Sequence, residues 1–162
     1  MDVDDSHENA RDALGHAAGA APAVAAVRFR IGGWLRFLSH AETLRVFERA
    51  CARAAIPVRY TQGFNPHPKL SLPLPRAVGV ESDEELLVLR LSDERAEDAD
   101  PTQRLSAETR IKEALGGALP AGIELMDVRL VERGVSFRPR SARYVFTFGP
   151  DRKAQLAEPL TE

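Results

Sequence analysis

Four histidines stand in this 162-residue chain, His7, His16, His40 and His67, together with one cysteine, Cys51. His40 and His67 both fall within residues 39–69, alongside Ser39, Arg45, Arg49, Gln62, Asn65 and Lys69. Three kinds of chemistry fit those residue types. A pair of histidines with a lysine suits acid–base cleavage of RNA, because a histidine side chain ordinarily titrates near neutral pH. Two histidines can begin a metal site, but no third ligand has suitable spacing and neither H-E-x-x-H nor C-x-x-C occurs, so no metal or cofactor is expected. The first-turn amides of a helix, with Ser39, Asn65, Lys69 and the arginines, can hold a phosphate. The bland reading stands beside these: Ser39 as a cap, His40 as an exposed first-turn residue, and the loop as a rigid connector.

The elements that must position these groups are legible. Ser39-His40-Ala41-Glu42 has capping-box spacing, which predicts a helix over residues 40–55 that Pro57 ends. Leu44, Phe47, Cys51 and Ala54 form its apolar stripe, and Arg45, Arg49 and Arg53 form a separate basic one. Cys51 on the apolar stripe reads as an inert buried thiol. His67 stands in Asn65-Pro66-His67-Pro68, where two prolines fix the backbone and present the ring. A pairing of the following strand beside the first would bring both histidines, with Gln62, Asn65 and Lys69, into one pocket.

Strands are expected at 27–31, 58–61, 70–74, 85–91, 122–131 and 144–148 from apolar alternation or short apolar runs. A second helix is expected over 106–118 and an exposed acidic loop over 93–102. The order gives an α+β fold of the ferredoxin-like βαββαβ kind, an antiparallel sheet with two helices on one face. The expected organisation is a disordered leader (1–24), this domain (25–135), then a linker, an extra strand and a truncated tail (136–162).

Composition narrows the class. No apolar run approaches the roughly 20 residues that span a bilayer, and the N-terminus lacks a signal-peptide pattern. One cysteine excludes an internal disulfide framework. A cytoplasmic protein with no membrane partner is expected. Charge is uneven: residues 28–76 carry nine basic and two acidic side chains, net +7, while residues 81–113 carry five basic and eleven acidic, net −6. Such asymmetry marks a surface for a polyanion, or else two faces that neutralise each other.

Leu35-Arg36-Phe37-Leu38-Ser39-His40, then Phe47-Glu48-Arg49-Ala50, then Tyr60-Thr61-Gln62-Gly63-Phe64-Asn65-Pro66-His67-Pro68-Lys69 and Val78-Gly79-Val80-Glu81-Ser82 carry a resemblance. The chain resembles, over roughly residues 27–148, the radical-SAM-associated domain of unknown function, which occurs alone or at the C-terminus of cobalamin-type radical SAM proteins. The resemblance implies a bacterial protein acting with a radical SAM enzyme, often encoded near a ribonuclease of the G/E type, and hence RNA modification or processing. Its members usually carry Ser-His-Leu-Asp where Ser39-His40-Ala41-Glu42 stands here, which keeps a carboxylate. The domain lacks the three-cysteine motif of the radical enzyme itself. The expected function is therefore a non-catalytic accessory domain that recognises substrate, RNA in particular. A metal-independent RNA-cleaving enzyme using His40 and His67 and a pure protein-interaction module are the alternatives.

Overall fold

A computed structural model describes residues 24–92, 100–131, 135–137 and 141–147. Four strands and two helices build an α+β unit: β1 (Val24–Ile31), α1 (His40–Arg53), β2 (Leu70–Ser71), β3 (Ser82–Arg90), α2 (Pro101–Ala118) and β4 (Ile123–Val131). The sheet is antiparallel throughout, in the order β2-β3-β1-β4. The two helices touch each other. No described helix is long and apolar enough to cross a membrane.

Alternation decides which residues of β1 go inside. Ala25, Val27, Phe29 and Ile31 are buried, whereas Arg28 and Arg30 are exposed on the opposite face. Leu87 and Leu89 of β3 and Ile123, Leu125, Val128 and Leu130 of β4 complete the core from the sheet. One extra residue on β4 shifts its register between Arg28 and Phe29, which is why the buried positions change parity after Leu125.

Helix α1 buries Thr43, Phe47, Ala50 and Cys51. Phe47 meets Phe29 edge-on at 4.7 Å between ring centroids, a geometry worth about 1 kcal/mol beyond the area buried. The buried stripe is centred nearer Thr43 and Ala50 than the apolar pattern implied, because Thr43 satisfies its hydroxyl on the Ser39 carbonyl at 2.9 Å. Leu44 and Ala54 are left half-buried. Burial pushes the Cys51 thiol up to about 11, with Glu48 adding to the shift, so it stays protonated and unreactive near neutrality.

Several expected elements are shorter than their patterns suggested. Residues 58–61 form only isolated bridges, Val58 to Leu91 and Tyr60 to Pro68. β2 stops at Ser71 because Pro73 and Pro75 remove amide donors from the continuing edge. Tyr144–Thr147 form no strand; Tyr144, Val145 and Phe146 are exposed. Helix α2 begins five residues earlier than expected, since Asp100 caps it through Thr102 and Gln103 and Pro101 suits the first turn. The expected leader, the acidic stretch 93–99 and most of the tail lie outside the described residues.

Candidate functional site

Two groups of the singled-out residues exist, and they sit at opposite ends of the sheet. The first surrounds the start of α1. Gly33–Phe37 forms a 3-10 turn, entered through Gly33 at φ 61°. Ser39 and Glu42 close the capping box: the Ser39 N–H and hydroxyl donate to Glu42 Oε2 at 2.8 and 2.6 Å, and the Glu42 N–H donates to Ser39 Oγ at 3.3 Å. These bonds hold the Glu42 carboxyl below its usual range. Ser39 is thus engaged as a cap.

A strap over residues 76–81 locks this turn in place. The Arg76 guanidinium donates to the carbonyls of Arg36 (2.7 Å), Leu38 (3.2 Å) and Ala77 (3.2 Å), and also to Val80. Glu81 accepts the Gly33 N–H at 2.9 Å and Arg36 Nη1 at 3.1 Å, which depresses its pKa. Beneath the strap lies a cavity of about 10 Å³, room for about one water, lined by Phe29, Ile31, His40, Thr43, Leu72, Leu74, Arg76 and Glu85. Glu85 is only 8% exposed. Burial raises its pKa, against the opposing pull of Ser82, Arg76 and His40.

The second group is an arm, residues 59–69, at the far end. The Lys69 N–H donates to the Arg59 carbonyl at 2.7 Å and the Thr61 N–H to the His67 carbonyl at 2.8 Å. Thr61 Oγ1 accepts the His67 N–H at 2.9 Å, and Asn65 Nδ2 lies 3.2 Å from His67 Nε2. Gly63 at φ 125° turns the tip. Thr61 through His67 are all exposed, Gln62 and Asn65 included, and Phe64 projects fully into solvent. The arm is rooted beside Arg90, whose carbonyl accepts the Arg59 N–H and whose N–H donates to Lys69.

The histidines therefore do not share a pocket. His40 faces Glu85, while the root of the His67 arm lies at Arg90. The five residue steps of β3 from Glu85 to Arg90 span about 17 Å. The expected convergence fails because β2 runs parallel to β1, so Lys69 meets the end of the sheet where β1 begins and His40 the end where it finishes. Gln62, Asn65, His67 and Lys69 all belong to the arm, where Asn65 meets His67; Ser39 and His40 belong to the other end. Arg45 and Arg49 are exposed on α1 between the two.

The charges divide in the same way. Around β1, Arg28 pairs with Glu84, Arg30 with Asp83 and Glu124 at 3.6 and 3.7 Å, and Arg36 with Glu81 at 3.1 Å. Arg45, Arg49, Arg53, Arg59, Lys69 and Arg90 have no ion pair among the described residues. Residues 49–80 contain no acidic side chain at all. Sequence reasoning missed Arg76, Glu81, Glu85 and Thr61. The signal for the first two was present, in an arginine after a proline-rich run and a glutamate next to Val-Gly-Val.

Fold and site together define a small α+β protein with a locked helix start at one end and an exposed, basic, aromatic-tipped arm at the other. Residues 25–162 match the family described as "Uncharacterized protein conserved in bacteria (DUF2344)", and the chain belongs to that family. No curated protein matches it.

Proposed function

We propose that this is a non-catalytic recognition domain whose arm binds single-stranded RNA for a radical SAM enzyme in the bacterial cytoplasm. The observation that carries the reading is Phe64, wholly exposed at the tip of a hydrogen-bonded arm that has Arg59 and Lys69 at its base. Tyr60, 47% exposed, lies on the same arm. Aromatic faces take any base by stacking while a basic groove tracks the phosphates. The absence of acid from residues 49–80 leaves that field uncancelled. The enzyme partner rests on the resemblance alone. A ferredoxin-like frame is supported by the β2-β3-β1-β4 order, in which β1-α1-β2 and β3-α2-β4 interleave as two split units.

Anisotropy of a labelled single-stranded RNA, titrated at about 50 and about 200 mM salt, tests the reading. Binding is expected to weaken with salt. Phe64→Ala is expected to weaken it about tenfold without changing the salt slope, and Lys69→Glu to flatten the slope by about one. Affinity indifferent to salt and to both variants sinks it.

The protein-interaction reading keeps one observation of its own. Trp34 (87% exposed), Phe37 and Val78 form an apolar surface beside the strap, at the end away from the arm. Loss of a co-purifying protein on Trp34→Ala, with RNA affinity intact, would favour it.

A further inference from the structure

β4 ends the sheet, and its far edge has no strand partner among the described residues. Such an edge presents amides and carbonyls to any extended chain that reaches it. In an antiparallel pair, alternate residues turn both backbone groups away from the neighbouring strand. On β4 these are Leu130 and Val128, opposite Ala25 and Val27, and, past the register shift, Met126. Each of the three is bonded to a side chain. The Leu130 N–H donates to Glu108 Oε1 at 2.8 Å and the Val128 N–H to Asp127 Oδ1 at 3.0 Å. The Met126 carbonyl accepts Lys112 Nζ at 2.7 Å.

Two of these side chains, Glu108 and Lys112, come from α2. That helix buries only Glu108 and Leu115, and of residues 101–110 Glu108 alone is buried. Glu108 is therefore the buried tie between the first half of α2 and β4. Twelve residues past the end of β4 stands a segment suited to pair with it, Tyr144-Val145-Phe146-Thr147, aromatic and β-branched throughout. The Tyr144 and Phe146 rings lie 6.5 Å apart. That is close to the spacing of about 7 Å between positions i and i+2 on one face of an extended chain. The segment nevertheless forms no strand, and Tyr144 and Val145 are 64% and 83% exposed.

We propose that Glu108, Lys112 and Asp127 close the β4 edge against residues 144–147 of the same chain, a fifth strand held off the sheet. The three side chains occupy backbone groups that the segment needs for pairing. Once those groups are released, the segment adds antiparallel to β4. Its short tether keeps it at an effective concentration on the order of 1 mM, so it outcompetes a second copy in dilute solution. Movement of the first half of α2 away from β4 breaks the Glu108 tie and bares the Leu130 amide, so this half of the helix is the latch.

Amide hydrogen exchange of the full chain, read by ¹H–¹⁵N NMR and paired with light scattering, tests the proposal. In the parent, the amides of residues 144–147 are expected to exchange without protection. A Glu108→Leu/Lys112→Ala/Asp127→Ala variant removes all three side-chain bonds and keeps apolar volume at position 108. Alternate amides of residues 144–147 should then exchange at least about tenfold more slowly, at monomer mass. Lys112→Ala/Asp127→Ala changes only exposed and half-buried positions and keeps the Glu108 tie, so it should fold. It should slow the same amides at least about threefold. Protection of residues 144–147 already in the parent, or exchange unchanged in every variant that folds, would overturn the proposal. So would a variant of dimer mass whose Val128 and Leu130 amides are protected while residues 144–147 are not, since the edge would then belong to a second copy.

Discussion

At the Ile31 end of the sheet, arginines are turned inward upon the protein's own backbone and carboxylates; at the Arg90 end they are not. Arg76 donates to four carbonyls at the Ile31 end, and Glu81 ties Arg36 to Gly33. Arg59 and Lys69, by contrast, build the arm with their backbones, and their side chains have no ion pair among the described residues. The same residue type thus holds structure where acids or carbonyls surround it and remains available where they do not. The net +7 of residues 28–76 overstates the free charge, because β1's share is cancelled across the sheet by the acids at the start of β3. The free portion is that of Arg45 and Arg49 on α1 and of the arm, because Arg53 donates to the Ala118 carbonyl at 2.6 Å.

The sharpest way to break this comparison is to exchange a cation at each end. Arg76→Ala strips a charged donor from four carbonyls and should cost about 3 kcal/mol in urea unfolding. Lys69→Glu should leave the unfolding free energy within about 0.5 kcal/mol of the parent's. Equal losses would mean that the arm is as structural as the strap. Phe64→Ala comes next in size. Its expected effect, about 1.4 kcal/mol, falls on RNA affinity, with stability again unchanged because the ring covers nothing. A Phe64→Ala protein that unfolds early would show that the tip packs in solution.

Ser39→Ala is expected to cost about 1 kcal/mol, the usual worth of an N-cap, with no change in RNA binding. This variant sharpens the comparison, since by residue type Ser39 is as good a phosphate ligand as Asn65. Affinity lost with Ser39 would extend the binding surface to both ends.

Ser39 and Phe29 also illustrate what was legible without coordinates. The capping box, the helix it begins, and the inward face of β1 follow from spacing alone, and all three are present. The place of His67 was not legible. Its loop is local, but its distance from His40 depends on which way β2 runs beside β3, and two paired residues, Leu70 and Ser71, decide that. Glu85 was hidden for a related reason. In Ser82-Asp83-Glu84-Glu85 nothing local separates one acid from the next. Only the pairing of Phe29 with Glu85 fixes its parity, turning Glu85 inward and Glu84 out to Arg28.

The smallest expected effect is the most specific to the locked end. Burial raises the Glu85 pKa above the ordinary 4.5, with Ser82, Arg76 and His40 pulling the other way. Between 4.5 and the raised value the folded protein holds a proton that the unfolded chain has released. Stability contributed by this group is therefore greatest below 4.5 and falls as pH rises through the window. Glu85→Gln keeps the shape and removes the charge. Its Tm should exceed the parent's at about pH 7, and the difference should close at about pH 3.5, where both side chains are neutral. No such variant exists for the arm, which has no acid to replace. A Glu85→Gln protein less stable than the parent at about pH 7 would reverse the ranking of forces. Arg76 and His40 would then outweigh desolvation, and the cavity beneath the strap would be a site that holds a carboxylate charged.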